Sequence, residues 1–268
     1  VPVSNATLGT KVQFSIPQFG DFFSDMVVHI KFSAPTTAIT GADPASTGSD
    51  TALYRWCEYP GERVLQKVSM DVNGNPLDEY YPDTYNFHRQ FRVSDDKLTG
   101  WNRNMGQEQS KEGYFVYDQV SPPAAGDAAD VAPHPARACV SVKDGHQTYK
   151  TSHSDLELFV PLLFWFNTDP RLAIPSVAIP YGQRFLNIDL ATKEQLLRVI
   201  KNPGSFTDGA TLINPTVTSP IIANCDLYIN NIFVNPDIHD IFIARIGFTL
   251  VRVHRRQVTN VNKASDSI

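Results

Sequence analysis

The stretch LELFVPLLFWFNTDPRLAIPSVAIPYGQRFLNIDLA, from Leu156 to Ala191, constrains this chain more than any other. A nearly unbroken apolar run gives way to a Pro-studded crossover, and then to strict alternation. Leu186, Ile188 and Leu190 fall on one face, and Asn187 and Asp189 on the other. Period two with one apolar face is how a strand packs its sheet against a second sheet, so the pattern predicts a β-sandwich with Asn187 and Asp189 turned to solvent.

Other segments repeat this pattern. Lys11–Ile16 reads as an early strand. In Met26–Phe32, Val28, Ile30 and Phe32 alternate with His29 and Lys31, and in Val64–Val72, Val68, Met70 and Val72 alternate with Lys67, Ser69 and Asp71. The second of these runs into Asn73-Gly74-Asn75-Pro76, a hairpin signal. Ile221–Val234 places Leu227 and Ile229 against Asp226, Tyr228 and Asn230, and Ile241–His254 holds period two through Phe242, Ala244, Ile246, Phe248 and Leu250. The expected core is Val28, Ile30, Val68, Met70, Val72, Leu186, Ile188, Leu190, Phe248 and Leu250. The pattern predicts an all-β, antiparallel, eight-stranded sandwich with long loop insertions.

Between the strands, Ser33–Asp50 and Ser94–Ser154 read as long loops. Gly113–Val120 is a candidate short strand within the second, and Pro122–Pro135 is an Ala/Pro stretch with little to bury. A short helix is predicted around Asp83–Gln90, and helical turns over Thr192–Ile200. Tyr85, Phe87, Phe91, Trp101, Phe115 and Tyr117 are too apolar to be left wet together, and are expected to cover the sandwich or meet a neighbour.

At 268 residues, with 19% charged residues and a net charge of -5, the chain has no global attraction to nucleic acid or an anionic membrane. Its longest apolar run, Leu158–Phe166, contains Pro161 and is too short to span a bilayer. Cys57, Cys139 and Cys225 are odd in number and widely spaced, which favours free thiols and a reducing compartment. The chain begins at Val1 and ends in the polar NVNKASDSI, which reads as a processed chain or a piece of a larger polypeptide.

Signals for chemistry are sparse. His146 and His153 stand near Asp144 and Asp155, a grouping that a polar loop explains without a metal. Asp71, Asp78, Glu79, Asp189 and Asp226 are the acids from which a glycosidase pair would be drawn, with Tyr80, Tyr81 and Trp101 as sugar-stacking rings. Solvated strand faces account for the same acids. The basic tail Arg252, His254, Arg255 and Arg256 offers a phosphate contact, an interface or link to a following domain, or an edge that discourages stray pairing, and only the last two sit comfortably with a net acidic chain. Asn5-Ala6-Thr7 is formally a glycosylation sequon. No nucleotide, metalloprotease or nucleophile-elbow motif occurs. No catalytic, cofactor-binding or metal residue is assigned, and no cofactor is expected. The alternative kept open is a carbohydrate-binding or glycoside-hydrolase β-sandwich module.

Three blocks, in this order, carry a resemblance: WCEYPGERVLQKVSMDVNGNPLDEY (Trp56–Tyr80), FVPLLFWFNTDPRLAIPSVAIPYGQRFLNI (Phe159–Ile188) and CDLYINNIFVNPDIHDIFIARIGFTLVRV (Cys225–Val253). Together they resemble the major capsid proteins of nucleocytoplasmic large DNA viruses, on the African-swine-fever-like branch that includes the faustoviruses. NPDIHD departs from the more charged, helix-like break of many relatives. The resemblance implies a jelly roll over residues 1–254, and a linker at 255–268 toward a second jelly roll absent from this chain. It implies turn positions at Gly61 and Gly74, and a central strand holding Phe159, Pro161, Leu163 and Phe166. Pro175 and Pro180 shape the crossover, and Leu227 and Ile229 mark the penultimate strand. It further implies a structural, non-enzymatic subunit of the virion capsid, assembled in host cytoplasm. That subunit self-associates as a homotrimer through loops and sheet edges and forms pseudo-hexagonal capsomers. Its partners are neighbouring capsomers and minor capsid proteins, with no specific nucleic acid and no membrane insertion.

Overall fold

The computed structural model describes residues 2, 5–40, 52–107, 115–117, 137–139, 145–176, 179, 183–201, 214–237, 240–241 and 256. Two antiparallel four-stranded sheets share one apolar core. The first runs β1 (Lys11–Ser15), β11 (Arg184–Leu190), β5 (Leu65–Val72), β6 (Asn75–Tyr80). Its register lines up Val12, Ile188, Val68 and Tyr80 across all four strands, and Phe14, Leu186 and Met70 across three. Every one of these side chains is buried. Burial of that kind contributes about 1.5–3 kcal/mol per large apolar side chain, so the rows fix the register that alternation predicts. The hairpin signal is also realised. Asn73 and Gly74 lie at φ 54 and 79, and Val72 faces Asn75 across a two-residue turn. Positive φ at both central positions is the geometry that matches strand twist, and Gly74 adopts it without a Cβ penalty. Val72, expected in the core, is only half-buried beside this turn.

The opposite face of the first sheet corrects one expectation. Asn187 is 3% exposed rather than solvent-facing. Gln13 Nε2 donates to its Oδ1 at 2.9 Å, and its own Nδ2 donates to Asp71 Oδ2. Side chains from the flanking strands β1 and β5 thus satisfy the amide while shielding it, which alternation alone does not foretell.

The second sheet is centred on β2 (Phe22–Phe32), which pairs with β14 (Ile222–Ile232), β9 (Leu156–Pro161) and β10 (Ile174–Pro175). Leu158, Ile30 and Cys225 align across three strands, as do Val160, Val28 and Leu227. His29, expected on the face opposite Val28, Ile30 and Phe32, is nonetheless only 7% exposed. The Phe159 ring stacks on it at 4.5 Å, and its Nε2 meets Glu157 Oε1 at 2.8 Å.

The apolar run after Glu157 is not one long strand. It leaves the ladder at Pro161, so Leu163 and Phe166 lie beyond the strand, and Phe159 is 38% exposed on its outer face. Leu162, Phe164 and Phe166 are buried, with the Phe164 and Phe166 rings stacked at 5.3 Å. Asn167 holds the turn, accepting from Phe164 N at 3.0 Å and donating to Ser24 O at 2.6 Å. A relay of two buried phenols satisfies the backbone where the ladder ends. Leu163 N donates to Tyr80 Oη, Tyr80 and Tyr85 hydroxyls meet at 2.9 Å, and Tyr85 donates to Pro161 O. Burial pushes both phenols well above their ordinary pKa, so the relay stays neutral.

Three two-stranded ribbons surround the sheets: β3 (Thr37–Thr40) with β13 (Asn214–Val217), β4 (Ala52–Trp56) with β12 (Leu197–Lys201), and β7 (Phe115–Tyr117) with β8 (Arg137–Cys139). Part of the expected Ser33–Asp50 loop is therefore strand. Of Thr192–Ile200, only α4 (Lys193–Leu196) is helical, started by a Thr192/Gln195 capping box, and Leu197 onward is extended. The candidate strand within Gly113–Val120 is present as β7. The helix α2 (Asp83–Phe91) falls where expected, whereas α3 (Asp95–Asn104) forms inside the expected Ser94–Ser154 loop. Pro122–Pro135, Pro180, and Phe248 and Leu250 of the predicted last strand lie outside the described residues.

Gly61 is not a turn residue. It sits in α1 (Pro60–Val64), where an added Cβ would meet Met105 Sδ at 2.7 Å and Met105 Cα at 2.9 Å. Gly61 N also donates to Met105 O at 3.0 Å, so the end of α3 rests directly on the α1 backbone. Gly61→Ala is expected to destabilise by about 1–3 kcal/mol through overpacking, read as a lower urea midpoint. An unchanged midpoint would show that the close approach is not needed.

Candidate functional site

The acids weighed for glycoside chemistry are not brought together as a pair across a groove. Asp71 accepts from Asn187, and Asp78 is buried, with its Oδ1 accepting from Glu79 N at 2.9 Å. Glu79 pairs with Lys67 Nζ at 2.8 Å, and Asp189 stands opposite Lys67 in the β11–β5 register. The Lys67 ammonium is held above its ordinary pKa, first by the Glu79 hydrogen bond. Asp226 lies on the other sheet, opposite His29. Acids neutralised by a shared cation, or spread over two sheets, do not supply the acid and base on either side of a glycosidic bond. The rings do not form a platform either. Tyr80 is buried, and half-buried Trp101 donates its Nε1 to Glu62 at 2.8 Å.

The structure does bring His146 and His153 together, stacked at 5.7 Å, where they brace β4. His153 Nε2 meets Tyr54 O at 2.8 Å, its backbone N donates to Tyr54 Oη, and His146 O accepts from Trp56 N. Asp155 is engaged elsewhere, with Lys31 at 3.6 Å and Ala34 N at 3.2 Å, and Asp144 lies outside the described residues. Among the described residues, no group of three His, Cys, Asp or Glu could hold a metal ion. Cys57 and Cys225 are buried free thiols, each pushed by burial up to about 11. Such thiols are inert rather than nucleophilic at neutral pH. Asn5 and Thr7 of the sequon are exposed. No described helix is long and apolar enough to cross a membrane.

Uncovered apolar surface is the more prominent feature. The six loop aromatics divide. Tyr85 is fully buried and Trp101 is packed against the core, whereas Phe87 and Phe91 are 59% and 76% exposed on one face of α2, with ring centroids 6.4 Å apart. The side chains of Phe115 and Tyr117 lie outside the described residues. Ile221 and Phe233 flank β14 in the open, and Tyr228 is exposed on its outer face. A recess of about 340 Å³ between β1 and β14 is lined by Phe14, Phe19, Leu227 and Ile229. Sequence reading missed this recess because Leu227 and Ile229 alternate like core residues and are only half-buried. Exposed aromatics on several elements are what a subunit presents to other subunits.

A family model described as "Major capsid protein N-terminus" matches residues 2–235. A major capsid protein of African swine fever virus (isolate Pig/Kenya/KEN-50/1950) is 31% identical over 366 residues, covering 96% of this chain and 56% of the relative. The chain thus spans little more than half of that relative's length. The aligned length exceeds the 268 residues of the chain, so the relative inserts residues within the shared span. The major capsid protein of Chrysochromulina ericina virus is 22% identical over 251 residues, covering 90% of this chain and 41% of the relative. Among solved structures, the faustovirus major capsid protein superimposes with a TM-score of 0.67 at 34% identity, over 94% of this chain and 56% of that one.

Proposed function

The chain belongs to the viral major capsid protein family, and we propose that it serves as the N-terminal part of a shell-forming subunit of an icosahedral large DNA virus. In this reading residues 1–254 are one eight-stranded jelly roll, and 255–268 lead toward a second. The subunit trimerises through loops and sheet edges into pseudo-hexagonal capsomers. Those capsomers meet one another and minor capsid proteins in the virion, after assembly in host cytoplasm. The reading gives the chain no catalytic, cofactor-binding or metal residue, and asks of it neither a specific nucleic acid nor membrane insertion.

The observation that carries the reading is a contrast. Asp71, Asp78 and Glu79 are hydrogen-bonded or paired with a cation and Asp226 lies on the other sheet, while Phe87 and Phe91 on α2, Tyr228 on β14 and Phe233 just after it stand uncovered. Glycoside chemistry needs the reverse, an unspent acid and base facing each other across a groove. Assembly needs broad, partly apolar surface repeated by symmetry.

Native mass measurement of the full-length protein tests this, with and without a glycan panel. The expected result is a species of three subunits, indifferent to glycans. A strictly monomeric full-length protein at high concentration that binds or cleaves a sugar would replace the capsid reading with the carbohydrate one.

A further inference from the structure

One end of the first sheet carries a concentration of positive charge that the capsid reading does not use. A groove of about 630 Å³ is lined by Arg63, Lys67, Tyr81, Arg198 and Arg256, with Asp83 and Asp189 as the only carboxylates among the described lining residues. Four cations against two acids is a local reversal of the chain's net charge of -5. The segments that meet here are remote in sequence: the end of α1, the start of β5, the β6–α2 connection, the end of β11, α4 with the start of β12, and Arg256.

The cations differ in how far their charge is spent. Lys67 is tightly paired with Glu79 at 2.8 Å. Arg256 lies over the Tyr81 ring at 5.1 Å and reaches Asp83 only at 3.7 Å, between side chains that are 48% and 63% exposed. A pair that open contributes little and is readily exchanged for a better anion. Arg63 and Arg198 make hydrogen bonds only to main-chain carbonyls among the described residues. Arg63 Nε donates to Glu58 O at 3.0 Å, and Arg198 Nη1 donates to Glu194 O and, at 3.2 Å, to Leu197 O. A carbonyl fixes a guanidinium in place without neutralising it, which leaves an oriented, unspent fork of donors. Both guanidiniums also lie within electrostatic reach of the buried Cys57, outside the groove lining. Burial raises the Cys57 thiol, and the charges of Arg63 and then Arg198 oppose that rise. Gln195 adds a neutral donor, because its Oε1 is committed to Thr192 N at 2.9 Å while its amide NH2 remains for a ligand.

We propose that this groove is an oxyanion site for a phosphate-class ligand, held by Arg63 and Arg198 with Arg256 and Lys67 around it. The volume suits a small ligand, and guanidinium forks match the spread charge of tetrahedral phosphate oxygens. Arg256 brings one cation of the basic tail to the groove, although the chain's net acidity disfavours a phosphate role for the tail as a whole.

Calorimetric titration of the full chain with inorganic pyrophosphate at low ionic strength tests the site. Pyrophosphate is expected to bind, and Arg63→Ala combined with Arg198→Ala should weaken it at least about tenfold. Both side chains are exposed, so the double variant should keep the native melting temperature. Arg171→Ala removes an exposed arginine already paired with Asp169 at 2.7 Å, and should leave binding unchanged. A parallel flotation assay with phosphatidylcholine vesicles doped with phosphatidic acid distinguishes the sources. Flotation lost in the double variant assigns the site to a lipid headgroup, and pyrophosphate binding without flotation assigns it to a free phosphate. No binding in either assay overturns the proposal, as does binding that the double variant retains or that Arg171→Ala lowers equally.

Discussion

Replacing Glu62 with alanine should destabilise the protein by about 3–5 kcal/mol, the range seen when one partner of a buried charged pair is removed. Glu62 is 5% exposed in α1, yet two elements outside α1 depend on it. Its Oε1 accepts from Arg89 Nε of α2 at 2.8 Å and from Trp101 Nε1 of α3 at 2.8 Å. The Arg89 guanidinium also lies 4.0 Å from the Tyr59 ring centroid, just before α1. Truncation leaves a guanidinium with 22% side-chain exposure and an indole N–H without their acceptor, and cuts the joint among three helices. Glu62→Gln keeps an acceptor oxygen but loses the charge, so its cost should be smaller, about 1–3 kcal/mol. Equilibrium urea denaturation of the three proteins gives the comparison. A Glu62→Ala loss below about 1 kcal/mol would mean that packing of Met105 on Gly61, not the carboxylate, holds α3 in place.

Ile188→Ala carries the next largest expected effect, a loss of about 2–4 kcal/mol. Ile188 is 1% exposed at the middle of the first sheet, with Val12 on one side and Val68 on the other. Neighbours held by two ladders cannot collapse freely into the vacated space, so most of the cavity should persist. The adjacent Asn187→Ala is expected to cost about 1–3 kcal/mol, because it strands Gln13 Nε2 and Asp71 Oδ2 on a shielded face. The same urea titrations distinguish the two mechanisms. A loss at Ile188 under about 1 kcal/mol would overturn its central position, and an Asn187 value within about 0.5 kcal/mol of zero would show that the amide is solvated after all.

Much of the fold was legible along the chain. Alternation located β1, the second half of β2, β5, β11 and β14, and the Asn73-Gly74 pair located the hairpin to β6. The family, too, was legible, from three blocks in order. The misses share a cause. The strand β4 alternates cleanly through Ala52, Tyr54 and Trp56, but its five residues are too few to stand out beside a long loop. β3 and β13 are four residues each, and their pairing joins Thr37 to Val217. α3 has no fully buried residue to announce an apolar face; it is held by Trp101 on Glu62 and by Met105 on Gly61. Of the candidate site, Arg256 was visible as part of a basic tail, but Arg63 and Arg198 were not, since each is an ordinary isolated cation in sequence.

What the sequence determined by itself was local: which residues alternate, where a two-residue turn permits positive φ, and hence that the chain builds antiparallel sheets with one apolar face. These follow from the pleat and from backbone sterics, which act over a few residues. Only the tertiary structure decided which polar residues leave water and which cations converge. Asn187 is sheltered by a glutamine 174 positions away, His29 by a carboxylate 128 positions away, and Glu62 draws in donors 27 and 39 residues downstream. A polar side chain is buried when remote partners satisfy its hydrogen bonds more fully than they deprive it of solvent, and that balance exists only once the sheets and helices have met.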